Sequence, residues 1–204
     1  MHAQRPILIL VRRHRFDRAL TSVMPAWRSS TSHPARSKRK REGAAAVEFA
    51  MVAIPFFLMI FSILELGVVF ILDSVLETAT MESGRLIRTG QAEAKGFDKA
   101  AFKTELCNRM ILFKSDCTTR ATVDVRVIPA FSKPDKTDPI ANGGIDDTKT
   151  IYNGGKPGNI ILVRVWYVHP LATPFVSQAV SRVGAGKVLL TTATAFQNEP
   201  WNAS

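Results

Sequence analysis

Several side chains in this sequence have the type and spacing to do chemistry. Glu48 sits against the start of a long apolar run and Glu65 lies near its far end. A carboxylate in hydrocarbon is unfavourable by about 2.5 to 3.5 kcal/mol, so such a residue marks a function or lies at an interface where water or a partner reaches it. Cys107 and Cys117 can close a disulfide, or one of them can serve as a thiolate nucleophile with His169 as the base available beyond the apolar run. Asp135, Asp138, Asp146 and Asp147 crowd the Gly- and Pro-rich stretch 132–158, where they could ligate calcium. Their spacing departs from the EF-hand loop, so solvated loop acids are the expectation and no metal or cofactor is expected. Motifs of catalysis are missing: there is no His-Glu-x-x-His or Gly-x-Ser-x-Gly, "GGKPG" lacks the Lys-Ser/Thr pair of a phosphate loop, and "GAGKV" ends in Val188. His169, next to Pro170, reads as a strand-end residue, and nothing argues for an enzyme.

The element that carries the two glutamates is set by hydropathy. From Phe49 to Leu72 the only charge is Glu65, and a bilayer core of ~30 Å needs about 20 apolar residues at ~1.5 Å per residue, so the run can span a membrane. Pro55 is tolerated in lipid and is expected to kink the segment. Of the 204 residues, the first forty-one hold eleven Lys or Arg against Asp17 alone, which accounts for the net charge of +10. The remainder is balanced, which argues against a basic nucleic-acid face on a folded domain. "RSKRKR" (36–41) precedes the span and the segment after it begins acidic, so the positive-inside rule puts the N-terminus in the cytoplasm and the C-terminal two-thirds outside it. That placement in an oxidising compartment favours the Cys107–Cys117 disulfide over a catalytic thiol. The apolar stretch is longer than a secretory h-region and no small-x-small cleavage site follows it.

The small residues instead precede the run. "REGAAAVEF", the "LELG" at 64–67 and the final "NEPW" at 198–201 resemble the TadE/TadG-like pilus assembly proteins of the Tad/Flp (type IVb) pilus, which are minor-pilin-like. The resemblance is good over 38–90. It implies a processing site in which a prepilin peptidase cuts after Gly43, Ala44 becomes the new N-terminus and Glu48, followed by Phe49, becomes the fifth residue. It also implies that the new α-amine of one subunit meets Glu48 of the next, against the plainer reading that Glu48 is solvated at the headgroups. The implied partners are membrane lipid, the prepilin peptidase, and other Tad pilus subunits and assembly proteins, in a homo- or hetero-oligomer. The implied location is the bacterial inner membrane, single-pass, with a periplasmic or extracytoplasmic C-terminal domain; incorporation in the fibre and assistance to its assembly both remain open. A leader of this length is long for the family, and a start at Met24 would shorten it. The rival readings are a bitopic envelope protein that binds a small ligand or cell-wall component, and a tethered enzyme whose site lies under the loop 132–158.

The expected fold is α+β: a basic leader over 1–43, a transmembrane helix over 44–72, and an exported domain over 73–204. Leu72, Leu76, Ala79, Ser83 and Leu86 recur at helical spacing and Glu82 faces Arg85, so the helix is expected to continue to about 89 and stop at Gly90, with a break near Gly67 as an option. Glu65 is read as an interfacial carboxylate, with a specific partner as the second option. Phe102, Leu106, Met110 and Phe113 form the stripe of a second helix. "ATVDVRVI" sets Val123, Val125 and Val127 on one strand face, "NIILVRVWYV" sets Ile161, Val163, Val165 and Tyr167 on another, and "KVLLTTATAF" is a third strand. A helix packed on a small antiparallel sheet buries these faces. The loop 132–158 is too long for a tight hairpin and is either functional or a mobile excursion.

Overall fold

The computed structural model describes residues 36–141, 143–173, 176, 178 and 183–201, with the side chains of 36–42 excepted. His2, His14, His33 and Met24, most of the basic leader, and the C-terminal "NAS" lie outside the described residues. The chain divides into two units, Met1–Ala44 and Ala45–Ser204, and the second holds the sheet with the helices packed on it.

Helix α1 runs Arg36–Arg88. It passes Pro55 and Gly67 without interruption, so the helix is continuous as expected and the optional break near Gly67 is not taken. Its far half is amphipathic in the expected register: Leu72, Leu76, Ala79, Ser83 and Leu86 are all buried. Each Leu so placed contributes about 1.5 to 3 kcal/mol. The helix ends where Gly90 takes φ +74° and donates to the carbonyl of Ile87. Short α2 (Gln91–Ala94) leads to α3 (Lys99–Arg109), whose first turn is capped by the Asp98 carboxylate accepting from the Ala101 amide. After a 3-10 turn at Ile111–Phe113, α4 (Lys114–Arg120) feeds directly into β1 (Ala121–Ile128). The disulfide Cys107–Cys117 ties α3 to α4, with both residues buried and their Cα atoms 5.5 Å apart.

The main sheet is antiparallel in the order β1, β4 (Ile160–Pro170), β5 (Lys187–Gln197), with the small hairpin β2 (Ile140–Ala141) and β3 (Gly144–Ile145) outside it. Val123 pairs with Val165 and Val125 with Val163. These, with Ile161 and Tyr167, form the inner face, against which α1 and the Phe102–Leu106–Met110 stripe of α3 pack. Phe113 is only half-buried. Val127 shares the face by register but is 38% exposed, because edge strand β1 emerges from the core at that end. Glu82 bonds Arg109 of α3 at 2.7 Å, so its partner lies across the helix pair and not one turn on at Arg85. Between α1 and β5 the close approach is made by Gly84: a Cβ there would lie 2.9 Å from the Phe196 ring.

Candidate functional site

Helix α1 faces two environments. From Val47 to Phe70 most of its large apolar side chains stand in the open, Phe49 at 72% and Phe70 at 70% exposure. The stretch from Gly43 is long enough and apolar enough to cross a membrane, and none of its most apolar window is buried. A dozen-odd exposed Phe, Ile, Leu, Met and Val side chains are too many for a face left to water. Gly43, Ala44, Glu48 and Phe49 share this exposed stretch of one helix, with Ala44 and Glu48 one turn apart; Glu48 has no hydrogen bond or ion pair to the described residues. Among the described residues, nothing lies within 4 Å of where a Cβ on Gly43 would be.

Burial begins at a defined point. Leu66 and Val69 pack on the core, Leu72 is fully buried, and Glu65, immediately before Leu66, holds a specific partner. Its two carboxylate oxygens accept the backbone amides of Ala172 and Thr173, just after β4. Of the two options for this carboxylate, the fold takes the specific partner. No amide donor is visible in sequence, because it comes from 107 residues away. Close by, burial and then the Arg120 charge lower the His169 pKa, while Asp116 and Glu65 oppose them. Its Nδ1 is buried without a hydrogen-bond partner among the described residues. His169 lies within β4 and Cys107 and Cys117 are bonded to each other, so no thiolate–imidazole pair exists.

On the outer sheet face lies a charge cluster that sequence reasoning missed. Asp124 is fully buried and accepts from Arg126 Nε and Nη2 at 2.8 and 2.6 Å, from Arg164 Nε and Nη2 at 3.1 and 2.8 Å, and from the Ile151 amide at 2.9 Å. Arg126 reaches on to Asp135 at 2.7 Å, and Arg164 Nη1 donates to the carbonyls of Asp135 and Thr137. The Asp135 carboxyl is held well below the usual range by its bonds to Thr137 and by Arg126. This cluster fastens the loop 132–158 over the sheet, while residues 151–153 bond to Val125 and cover the β1 edge. The four loop aspartates thus have structural work. Asp138 and Asp146 accept from amides two residues on, and Asp147 pairs with Lys99 at 2.7 Å. Among the described residues no group of three or more potential ligands could hold a metal ion. The signal available in sequence was the alternation of Asp124, Arg126 and Arg164 with buried valines: charges repeating on the second face of a strand imply that this face is covered and paired.

The "NEPW" tail is a clamp on the end of α1. Asn198 is buried and donates to the carbonyls of Gly154 and Lys156; Glu199 pairs with Arg88 at 3.2 Å and its amide bonds the Arg88 carbonyl. The Trp201 indole lies on Gly90, 2.6 Å from the position a Cβ would take, and its N–H donates to Glu93 at 2.9 Å.

A bare apolar helix of membrane length, rooted at Glu65 in an α+β domain, defines the class: a single-pass membrane-anchored protein. Residues 43–85 match the family model described as TadE-like protein. Over that segment the chain is TadE-like, which supports a part in Tad pilus assembly. No curated protein and no solved structure matches the chain.

Proposed function

We propose that the protein is a pilin-like component of the Tad/Flp pilus assembly machinery in the bacterial inner membrane. Residues 1–43 face the cytoplasm and are removed by a prepilin peptidase after Gly43, and the C-terminal domain is held on the extracytoplasmic side. The observation that carries this reading is the TadE-like match, which opens at Gly43. Two features of the fold support it. Ala44 to Leu64, between the processing site and the Glu65 anchor, is about 31 Å long at ~1.5 Å per residue, close to a hydrocarbon core of ~30 Å. A glycine inside a helix costs about 1 kcal/mol relative to alanine, and among the described residues Gly43 touches nothing that would need its missing side chain; a protease that reads the backbone at the cut supplies the need.

After cleavage the Ala44 amine, protonated below its ordinary value of ~8, and Glu48 carry opposite charges at one end of the span. In an assembly the amine of one subunit neutralises Glu48 of its neighbour, and the exposed Phe and Ile side chains pack helix against helix. Partners beyond the membrane are other Tad subunits, engaged through the C-terminal domain in adhesion or secretion. The test is the N-terminus of the protein recovered from membranes. Ala44 is expected in the wild type and an intact leader in Gly43→Val; a Gly43→Val protein that matures normally overturns the site.

A further inference from the structure

A cavity of about 250 Å³ opens at the far end of the domain, some ~33 Å beyond Glu65 along α1 at ~1.5 Å per residue. It is lined by Ile87, Ala92, Glu93, Phe97, Tyr152 and Trp201 together with Asn153, Gly154 and Gly155, and the Asn153 side-chain oxygen accepts from the Gly155 amide. Three separate segments bring the rings together: Phe97 before α3, Tyr152 on the segment paired with β1, and Trp201 on the tail. Two of the rings are fixed from behind. Trp201 rests on Gly90 and is pinned by its bond to Glu93, and Tyr152 packs on Phe102 with centroids 5.6 Å apart. Burial and the nearby Asp98 charge push the Tyr152 phenol up to about 12, so its hydroxyl stays neutral. Only one oxygen of the Glu93 carboxylate is used by Trp201; the other makes no bond to the described residues. Among the described residues, no Lys or Arg lines the space.

Aromatic faces present negative charge to a cation, and a carboxylate with a spare oxygen adds to it. An anion would be repelled, and a purely apolar guest would leave Glu93 unused. At ~30 Å³ per water-sized group the space suits one side chain and falls below the range of drug-sized ligands. We propose that this cavity is a receptor site for an organic ammonium group, in the cell a lysine side chain of a protein that docks on the end of the domain away from the membrane. The inference does not rest on the processing or pilus reading.

The full-length protein in detergent micelles is titrated with Nα-acetyl-lysine methylamide and with its uncharged counterpart Nα-acetyl-norleucine methylamide. The readout is the Trp201 indole N–H resonance, assigned by its loss in Trp201→Phe. The lysine probe is expected to move that resonance saturably, and the norleucine probe to bind about tenfold more weakly or worse, a difference of ~1.4 kcal/mol. Glu93→Gln keeps an acceptor for the indole, so its melting temperature should match the wild type while lysine binding weakens about tenfold. Equal binding of the two probes reduces the cavity to an apolar pocket and overturns the proposal. An indole resonance that the lysine probe leaves in place, or a Glu93→Gln protein that binds it as well as the wild type, overturns it too.

Discussion

Asp124→Asn tests the account of how the outer sheet face is closed. The substitution preserves size but replaces one carboxylate oxygen by a donor, which then faces guanidinium groups that can only donate. Five hydrogen bonds now enter the carboxylate, four of them from Arg126 and Arg164. Both guanidinium side chains are largely buried, at 10% and 11% exposure, and without Asp124 only the partly exposed Asp135 remains to balance them. Breaking one member of such a buried set costs about 3 to 5 kcal/mol. At ~3 to 4 °C per kcal/mol for a domain of this size, that is a fall of about 10 to 20 °C in melting temperature. The assay is thermal unfolding of the full-length protein in micelles by circular dichroism, checked for reversibility. Tryptophan emission serves as a second probe, because the Arg164 guanidinium lies 5.2 Å over the Trp166 ring. A single Asp124→Asn variant that melts within a few degrees of the wild type refutes the reasoning.

Glu65→Gln keeps one acceptor but loses the charge, so it should weaken the junction by about 1.5 kcal/mol; hydrogen exchange at the Ala172 and Thr173 amides should quicken about tenfold, and unchanged protection sinks the assignment. Gly90→Ala meets both the positive φ, at about 1 to 2 kcal/mol, and the Trp201 ring, so the indole should leave Glu93; an unmoved Trp201 indole resonance would contradict the clamp. His169 has a folded pKa below its ordinary value, so the unfolded chain takes up the proton first. Its contribution to stability is therefore complete above ~6.5 and is lost as pH falls through that value toward the folded pKa; melting temperature should drop less between pH 7.5 and 5 in His169→Gln than in the wild type, and equal drops would remove His169 from the account.

What could be read from the sequence is what depends on local periodicity. The stripe from Leu72 to Leu86, the Phe102–Leu106–Met110 face and the Ile161–Tyr167 alternation each report burial through spacing alone, and each is buried as expected. Gly90 was legible as a helix stop for the same reason. The failures concern partners that are distant in the chain. The partner of Glu65 could not be named because its donors belong to residues after β4, and Glu82 was paired with the neighbouring Arg85 because Arg109 arrives on another helix. The loop 132–158 looked open because its anchors, Arg126 and Arg164, sit on the strands beneath it. "NEPW" was visible only as a resemblance; its physical use, holding Arg88, Gly90 and Glu93 together, needed the fold.

The glycines of α1 separate what folding demands from what it leaves free. Gly84 admits the Phe196 ring, which a Cβ would meet at 2.9 Å, so Gly84→Val must displace that ring and should lower the melting temperature of the domain. Among the described residues, nothing lies within 4 Å of a Cβ built on Gly43 or Gly67. Exchanging Gly43 for alanine should leave the fold intact and firm the helix by about 1 kcal/mol. The same reasoning makes Gly43→Val a clean probe of processing: its C-terminal domain should melt at the wild-type temperature and show wild-type protection at Thr173, whatever becomes of the leader. A Gly43→Val protein that keeps its leader and also melts early would show that the fold uses Gly43 after all. Only an uncleaved chain with an intact domain assigns that glycine to the enzyme that reads it.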